Sequence, residues 1–253
     1  MSDSHLLLDL GNSRIKWGVV QAGRLQQRGV ADYPEDEQPL QLPEALQTQA
    51  FCSIVAASVT SEARAARVEA WTKQQGWPLH WVRSESELGG VRNGYPEPER
   101  LGVDRLLALI GARHLGLEAG CVVDVGTAMT LDGVDATGQH LGGLIIPGPA
   151  LMRRSLLGAA PVFSEYAEQA PLDCALDTAS AVVSGTTLAA VALSDHFARS
   201  VQGRCEAPIS VVFAGGDGEA IMATHQWRDT GWPCWYRDDL VLQGLLVMLE
   251  RTT

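Results

Sequence analysis

The sequence predicts an α/β protein built as two duplicated halves, each a set of strands flanked by helices. Three observations carry that prediction. Leu8-Asp9-Leu10-Gly11-Asn12-Ser13 is echoed about half a chain later by Val123-Asp124-Val125-Gly126-Thr127-Ala128. Each copy opens a strand–turn–strand unit with further strands and helices behind it, as an internal duplication requires. The chain has 253 residues, 46% of them hydrophobic, enough for one large domain or two ordinary ones without staples. The boundary is expected near Gly116 to Gly120, giving halves 1–117 and 118–253.

In chain order, His5 to Leu10 is a short apolar run, and Ile15 to Val20 follows it across a polar, glycine-containing turn, so the two read as a hairpin. Leu40 to Ala50 reads as helical between prolines. Cys52 to Ala57 reads as a buried strand, Ser61 to Gln75 as a polar, alanine-rich helix, and Leu79 to Val82 as a short strand. Ser84 to Glu99 is rich in Gly, Pro and charge and reads as a loop. A helix starts near Leu101 or Gly102, where Val103, Leu106, Leu107 and Ile110 recur at helical spacing. Cys121 to Val125 and Met129 to Val134 form a second hairpin. Leu141 to Ile146 extends it until Pro147-Gly148-Pro149 stops the strand. Helices are expected at Ala150 to Leu157 and Thr178 to Ser200. The strand Ile209 to Ala214, the turn Gly215-Gly216 and the helices Glu219 to Thr224 and Asp239 to Glu250 complete the chain.

Composition narrows the function. The formal net charge of −11 removes the main source of nucleic-acid affinity. No uninterrupted apolar run approaches membrane-spanning length, and the first residues lack a basic segment followed by a long apolar one, so neither a membrane nor a leader peptide is expected. The five cysteines lack C-x-x-C spacing, which predicts free thiols in a reducing cytoplasm. The six histidines show no metal-ligand spacing, and no serine sits in a G-x-S-x-G elbow, so zinc-enzyme and hydrolase readings lack support. Trp71, Trp77 and Trp81, and Trp227, Trp232 and Trp235, cluster and read as packing.

Four motifs carry chemistry and a fifth bears on the cleft. In Asp9-x-Gly11-Asn12-Ser13-x-x-Lys16 the glycine lets backbone N–H groups approach an anion, Lys16 adds charge, and Asp9 can hold a hydrated Mg²⁺. Asp124-x-Gly126-Thr127-Ala128-x-Thr130-x-Asp132 repeats the logic with two hydroxyls, and two such turns together would clamp a phosphate chain. Phe213-Ala214-Gly215-Gly216-Asp217-Gly218 ends a strand in glycines, a bend that suits adenine and ribose. It is neither a P-loop nor a G-x-G-x-x-G fingerprint. In Tyr95-Pro96-x-Pro98-Glu99-Arg100-Leu101-Gly102-Val103-Asp104-Arg105, Asp104 sits in a helix's first turn, where the helix dipole favours its ionised form. Adjacent helical positions diverge by about 100°, so Asp104 and Arg105 can meet a hydroxyl and a carboxylate or phosphate separately. Gly142-Gly143-x-Ile145-x-Pro147-Gly148 marks a close backbone approach, through packing alone or by shaping a ligand cleft.

These residues resemble a known family. The two carboxylate–glycine turns and the Gly-Gly bend are similar to the phosphate-1, phosphate-2 and adenosine motifs of the actin, hexokinase and acetate kinase superfamily. Tyr95-x-x-Pro98-x-Arg100-x-Gly102-x-Asp104-Arg105 resembles the pantothenate-binding stretch of type III pantothenate kinases. The second turn followed by Gly142-Gly143-x-Ile145-x-Pro147-Gly148, and Asp177-Thr178 leading to Ser184-Gly185, look like that family too. The likeness runs from about Leu6 to Leu249, with Gly-Asn-Ser standing where Gly-Asn-Thr is usual, and Ala179 to Val183 blander than usual.

The resemblance implies two ribonuclease-H-like (actin-like ATPase) halves, each a mixed sheet flanked by helices. It implies a cytoplasmic homodimer that makes 4′-phosphopantothenate from pantothenate and ATP, the first step towards coenzyme A. Asp9, Leu10, Gly11, Asn12, Ser13, Arg14, Ile15 and Lys16 would hold ATP phosphates, with Thr127, Gly215 and Gly216 also at ATP and Asp9 near Mg²⁺. Tyr95, Gly102, Val103, Asp104 and Arg105 would bind pantothenate, and Asp104 would be the general base. Thr178 would reach pantothenate across the dimer interface. Asp124 would hold a monovalent cation, K⁺ or NH₄⁺. The rival readings are a kinase for another small alcohol or acid of the superfamily, and a nucleotide-binding regulator without turnover.

Overall fold

The computed structural model describes residues 4–33, 43, 46, 49–159, 173–224 and 230–252. By contacts the chain divides into Met1–Gly116 with Asp239–Thr253, and Leu117–Asp238.

The first unit is built on β1 (Ser4–Leu10), β2 (Arg14–Gln21), β3 (Arg24–Asp32), β4 (Ser53–Ser58) and β5 (Leu79–Trp81), ordered β3-β2-β1-β4-β5. β1 is buried at every residue, which is why it reads as a near-continuous apolar run rather than an alternating one. It pairs antiparallel with β2 and parallel with β4. β3 escaped the sequence reading because it is an edge strand: Arg24-Leu25-Gln26-Gln27-Arg28 offers no apolar face, and charge there guards an open edge. Two further strand pieces lie in the expected loop, β6 (Glu87–Leu88) and β7 (Val91–Arg92). The expected helix at Leu40 to Ala50 lies largely outside the described residues, as does Trp227.

Helix α1 (Glu62–Gln75) starts where the Ser61 hydroxyl accepts from the Arg64 N–H and stops at left-handed Gly76, φ 71°. Its Trp71 packs edge-on against Trp77, which also meets Phe51, so this tryptophan cluster is core packing. Helix α2 (Val103–His114) is buried along nearly its whole length.

The second unit repeats the first. Its strands are β8 (Gly120–Val125), β9 (Ala128–Val134), β10 (His140–Pro147), β11 (Ser210–Ala214) and β12 (Cys234–Tyr236), ordered β10-β9-β8-β11-β12. β8 is antiparallel to β9 and parallel to β11, the same pattern as β1 with β2 and β4. The duplication legible in two six-residue segments is therefore a duplication of sheet topology. The short β12 carried too few residues for a periodic signal. Helices α3 (Pro149–Ala159), α4 (Thr178–Gln202) and α5 (Gly218–Thr224) complete the unit. By length and composition α4 could cross a membrane, although the sequence holds no uninterrupted apolar run of that size. Its Ala190, Val191, Phe197, Ala198 and Val201 lie in the second core with residues of β8 and β9, as in a helix that covers a sheet.

The last helix, α6 (Leu240–Thr252), was expected in the second half and belongs by contact to the first unit. The cause is a close helix crossing. A Cβ on Gly111 would collide with the Leu240 carbonyl and lie 2.9 Å from the Gly244 nitrogen, and one on Gly244 would collide with the Leu107 backbone. Glycine at both crossing points lets α2 and α6 pack main chain to main chain. Asp239, just before α6, is buried, accepts from Gln243 at 2.8 Å and pairs with Arg28 at 3.0 Å.

Candidate functional site

In the first unit, Asp9 stands at the end of β1, in register with Lys16 across the hairpin. The two side chains therefore share a face of the sheet. Asp9 is buried, while Asn12 and Ser13 at the turn are exposed. Leu10 and Ile15 point into the core at 0% and 1% exposure, so at a ligand they can offer only backbone. Arg14 lies 3.6 Å from Asp32 in an exposed pair.

The turn is held from outside by two residues that the sequence reading missed. The Tyr33 hydroxyl donates to the Gly11 carbonyl at 2.7 Å, and Arg64 Nη1 donates to the Asn12 carbonyl at 2.8 Å. The Arg64 guanidinium lies over the Tyr33 ring, 4.3 Å from its centre. Burial, eased by Thr60 and Arg64 and reinforced by Asp9, pushes the Tyr33 hydroxyl up to about 12. Neither residue stands in a recognisable motif, and only the fold brings them 22 and 52 residues along the chain to the turn.

The second cluster of the first unit surrounds the start of α2. Asn93 organises the preceding loop: its side-chain oxygen accepts from the Tyr95 N–H at 3.0 Å and its amide donates to the Pro98 carbonyl at 2.9 Å. Ser84 donates to the Leu101 carbonyl at 2.7 Å. Asp104, in the first turn, accepts from the Arg105 N–H at 2.8 Å and is half-buried. Arg105 is buried and donates to the Tyr95 hydroxyl at 3.1 Å. Tyr95, Gly102, Val103, Asp104 and Arg105 thus belong to one cluster, with the acid and the guanidinium turned apart as adjacent helical positions must be. Gly102 and Val103 also line a groove of about 710 Å³ with Ser58, Thr60, Trp81 and Arg83, which lie at or just beyond the carboxyl ends of β4 and β5. Ligands of open α/β sheets bind at such strand ends.

In the second unit, Asp124 pairs in register with Thr130 on β9 and with Ala214 on β11. The next residue, Gly215, takes φ +80°, and a Cβ there would collide with the Asp124 carboxylate and lie 2.5 Å from the Val125 carbonyl. The fold thereby places Asp124, the turn Gly126–Thr127 and the bend Gly215–Gly216 side by side. Thr127 is exposed, and its carbonyl accepts from Gly148 N–H at 2.9 Å, which explains the Pro-Gly stop as a close backbone approach. The Tyr236 hydroxyl donates to the Gly215 carbonyl at 3.0 Å. Asp132 is buried, with its carboxylate against His140 at 3.0 Å, within β9 and β10. Thr178 is exposed on the first turn of α4, where the Asp177 carboxylate accepts from the Ser180 N–H and is held below its usual range by that bond.

The family model of type III pantothenate kinase matches residues 5–200. A type III pantothenate kinase of Halorhodospira halophila is 37% identical over 249 residues, covering 95% of this chain and 96% of that protein. One of Methylobacillus flagellatus is 36% identical, covering 96% of each. Among solved structures, a conserved putative Baf family transcriptional activator from Campylobacter jejuni superposes with a TM-score of 0.62 at 20% identity, covering 98% of this chain and 100% of that one. MreB 5 of Spiroplasma citri bound to AMPPNP gives 0.51 at 10% identity, covering 100% and 97%. These two structural likenesses establish the fold alone.

Proposed function

The chain belongs to the type III pantothenate kinase family, and from that premise we propose how its residues divide the work of phosphorylating pantothenate with ATP. The activity is the first step of coenzyme A synthesis, transfer of the γ-phosphoryl group to the acceptor's primary hydroxyl. Asp104 is the general base, Arg105 and Tyr95 hold pantothenate, and the two carboxylate–glycine turns hold the nucleotide. The observation that carries this assignment is the start of α2, where buried Arg105 is fixed on Tyr95 while Asp104 stays half-exposed.

Phosphoryl transfer needs little covalent help, so positioning and charge neutralisation dominate. The bond from the γ-phosphorus to the bridging oxygen breaks as the acceptor oxygen bonds to phosphorus. Asp104 takes the hydroxyl proton late, because an ordinary carboxylate is too weak a base to strip an alcohol beforehand. Lys16, on the face it shares with Asp9, neutralises phosphate charge. The hard oxygen donors fit two cations. Asp9 beside the exposed turn suits Mg²⁺, and the Asp124 carboxylate packed against Gly215 near the Val125 carbonyl suits K⁺ or NH₄⁺. When bound, they would offset the charge of the phosphates. Thr127, Gly215 and Gly216 serve the nucleotide, and Thr178 serves pantothenate in a homodimer. The enzyme works in the cytoplasm.

The test is ADP release by purified protein with ATP, Mg²⁺, K⁺ and pantothenate, omitting each in turn. Release is expected to require all four. Asp104→Asn should lower turnover by about 10²-fold or more while ATP still binds. Near-normal turnover in that variant would remove the base assignment, and release with another acceptor but not pantothenate would remove the substrate.

A further inference from the structure

We propose that Tyr33 and Arg64 are positioning residues that aim the backbone N–H groups of Asn12 and Ser13 at a phosphate of ATP. The inference rests on the reading that the turn after Asp9 receives the phosphates. In a trans peptide the C=O of one residue and the N–H of the next point in opposite directions, and no cis bond occurs among the described residues. The Gly11 carbonyl is fixed towards the Tyr33 hydroxyl at 2.7 Å, so the Asn12 N–H faces away from Tyr33. The Asn12 carbonyl is fixed towards Arg64 Nη1 at 2.8 Å, so the Ser13 N–H faces away from Arg64. Two successive N–H groups set in this way on an exposed turn make an anion-binding concavity.

The two clamping side chains are themselves held. Arg64 stacks on the Tyr33 ring at 4.3 Å and reaches the Thr60 hydroxyl at 3.5 Å. Its planar fork stacks on the ring and donates at once. Helix α1, through Arg64, and the residue following β3, Tyr33, are thereby tied to the direction of the turn's donors. A glycine-containing turn left to itself would sample other orientations and lose order that phosphate binding would have to restore.

The test measures the KM for ATP, the KM for pantothenate and kcat in Tyr33→Phe and Arg64→Met. Each variant loses one hydrogen bond to a turn carbonyl, so the KM for ATP should rise about threefold to tenfold. The KM for pantothenate and kcat should stay within about twofold. A merely structural role would move all three values together or none. An ATP KM within twofold of wild type in either folded variant overturns the proposal, as does an equal rise for pantothenate. Should Tyr33→Phe fail to fold, Arg64→Met alone decides, because it removes the donors and keeps a long unbranched side chain beside the Tyr33 ring. Asp9→Asn and Lys16→Met separate the premise from the inference. ATP binding unchanged in both overturns the phosphate reading itself, whereas ATP binding lost in them but normal in Tyr33→Phe and Arg64→Met overturns only the clamp.

Discussion

Replacing Gly244 by alanine opposes two effects whose magnitudes decide the sign. Alanine is the better helix former by about 1 kcal/mol, so propensity alone predicts a more stable α6. At this position the new Cβ would lie 2.8 Å from the Leu107 carbonyl carbon and 3.0 Å from its Cα. Carbon pairs settle at about 3.5–4.0 Å, so α2 and α6 must part by roughly 1 Å along their crossing. Overpacking typically costs about 1–3 kcal/mol. The upper end applies here, because both sides of the contact are main chain and no rotamer can yield. The net is a loss of about 2 kcal/mol, a fall in Tm of about 4–8 °C for a chain of this size. Since α2 carries Asp104 and Arg105 on its first turn, its displacement should also lower kcat. Urea and thermal unfolding followed by tryptophan fluorescence would measure the first effect and ADP release the second. Gly185 on α4 supplies the contrast: a Cβ there meets nothing within 4 Å, so Gly185→Ala should gain about 0.5–1 kcal/mol. A Gly244→Ala variant as stable as wild type, or more so, would refute the reasoning from the crossing.

Two other expectations follow from titration and exposure. Cys52 and Cys174 are exposed, whereas burial pushes the Cys121 thiol far up, Cys234 up to about 11, and Cys205 upward with help from Asp135. Alkylation of native protein at pH 8 should therefore label Cys52 and Cys174 first and the other three only on unfolding, as peptide mass spectrometry would show; early labelling of Cys121 would contradict the packing of β8. Tyr33 gives a pH dependence. Its hydroxyl is raised to about 12 by burial from an ordinary value near 10, so folding holds a proton that the unfolded chain releases first. The stabilisation is complete below pH 10 and is lost as pH rises through about 12. The whole shift would be worth roughly 3 kcal/mol, and for a half-exposed ring screened by solvent about 1 kcal/mol is expected. The stability gap between wild type and Tyr33→Phe, measured by urea unfolding at pH 9 and 11.5, should narrow by that amount; a constant gap would show that the ring is not desolvated.

The sequence by itself determined the duplicated α/β plan and set out the candidate residues for chemistry, because those features are local. Buried central strands write themselves as apolar runs, the two turns repeat within six residues each, and the Tyr95–Arg105 stretch is contiguous. Asp104 and Arg105 could be assigned to separate faces from helical geometry alone. What depended on contact across the chain was not legible. β3 is polar because it is an edge, so no periodicity announced it. α6 belongs with the first unit because Gly111 and Gly244 permit a backbone-to-backbone crossing, and neither glycine reveals its partner in sequence. Asp132 reads as part of the second phosphate motif, and only the tertiary structure shows its carboxylate meeting the His140 ring at 3.0 Å. Only the tertiary structure brought Tyr33 and Arg64 to the carbonyls of Gly11 and Asn12, since a hydrogen bond to main chain needs no particular residue type in the segment it serves and leaves no mark there.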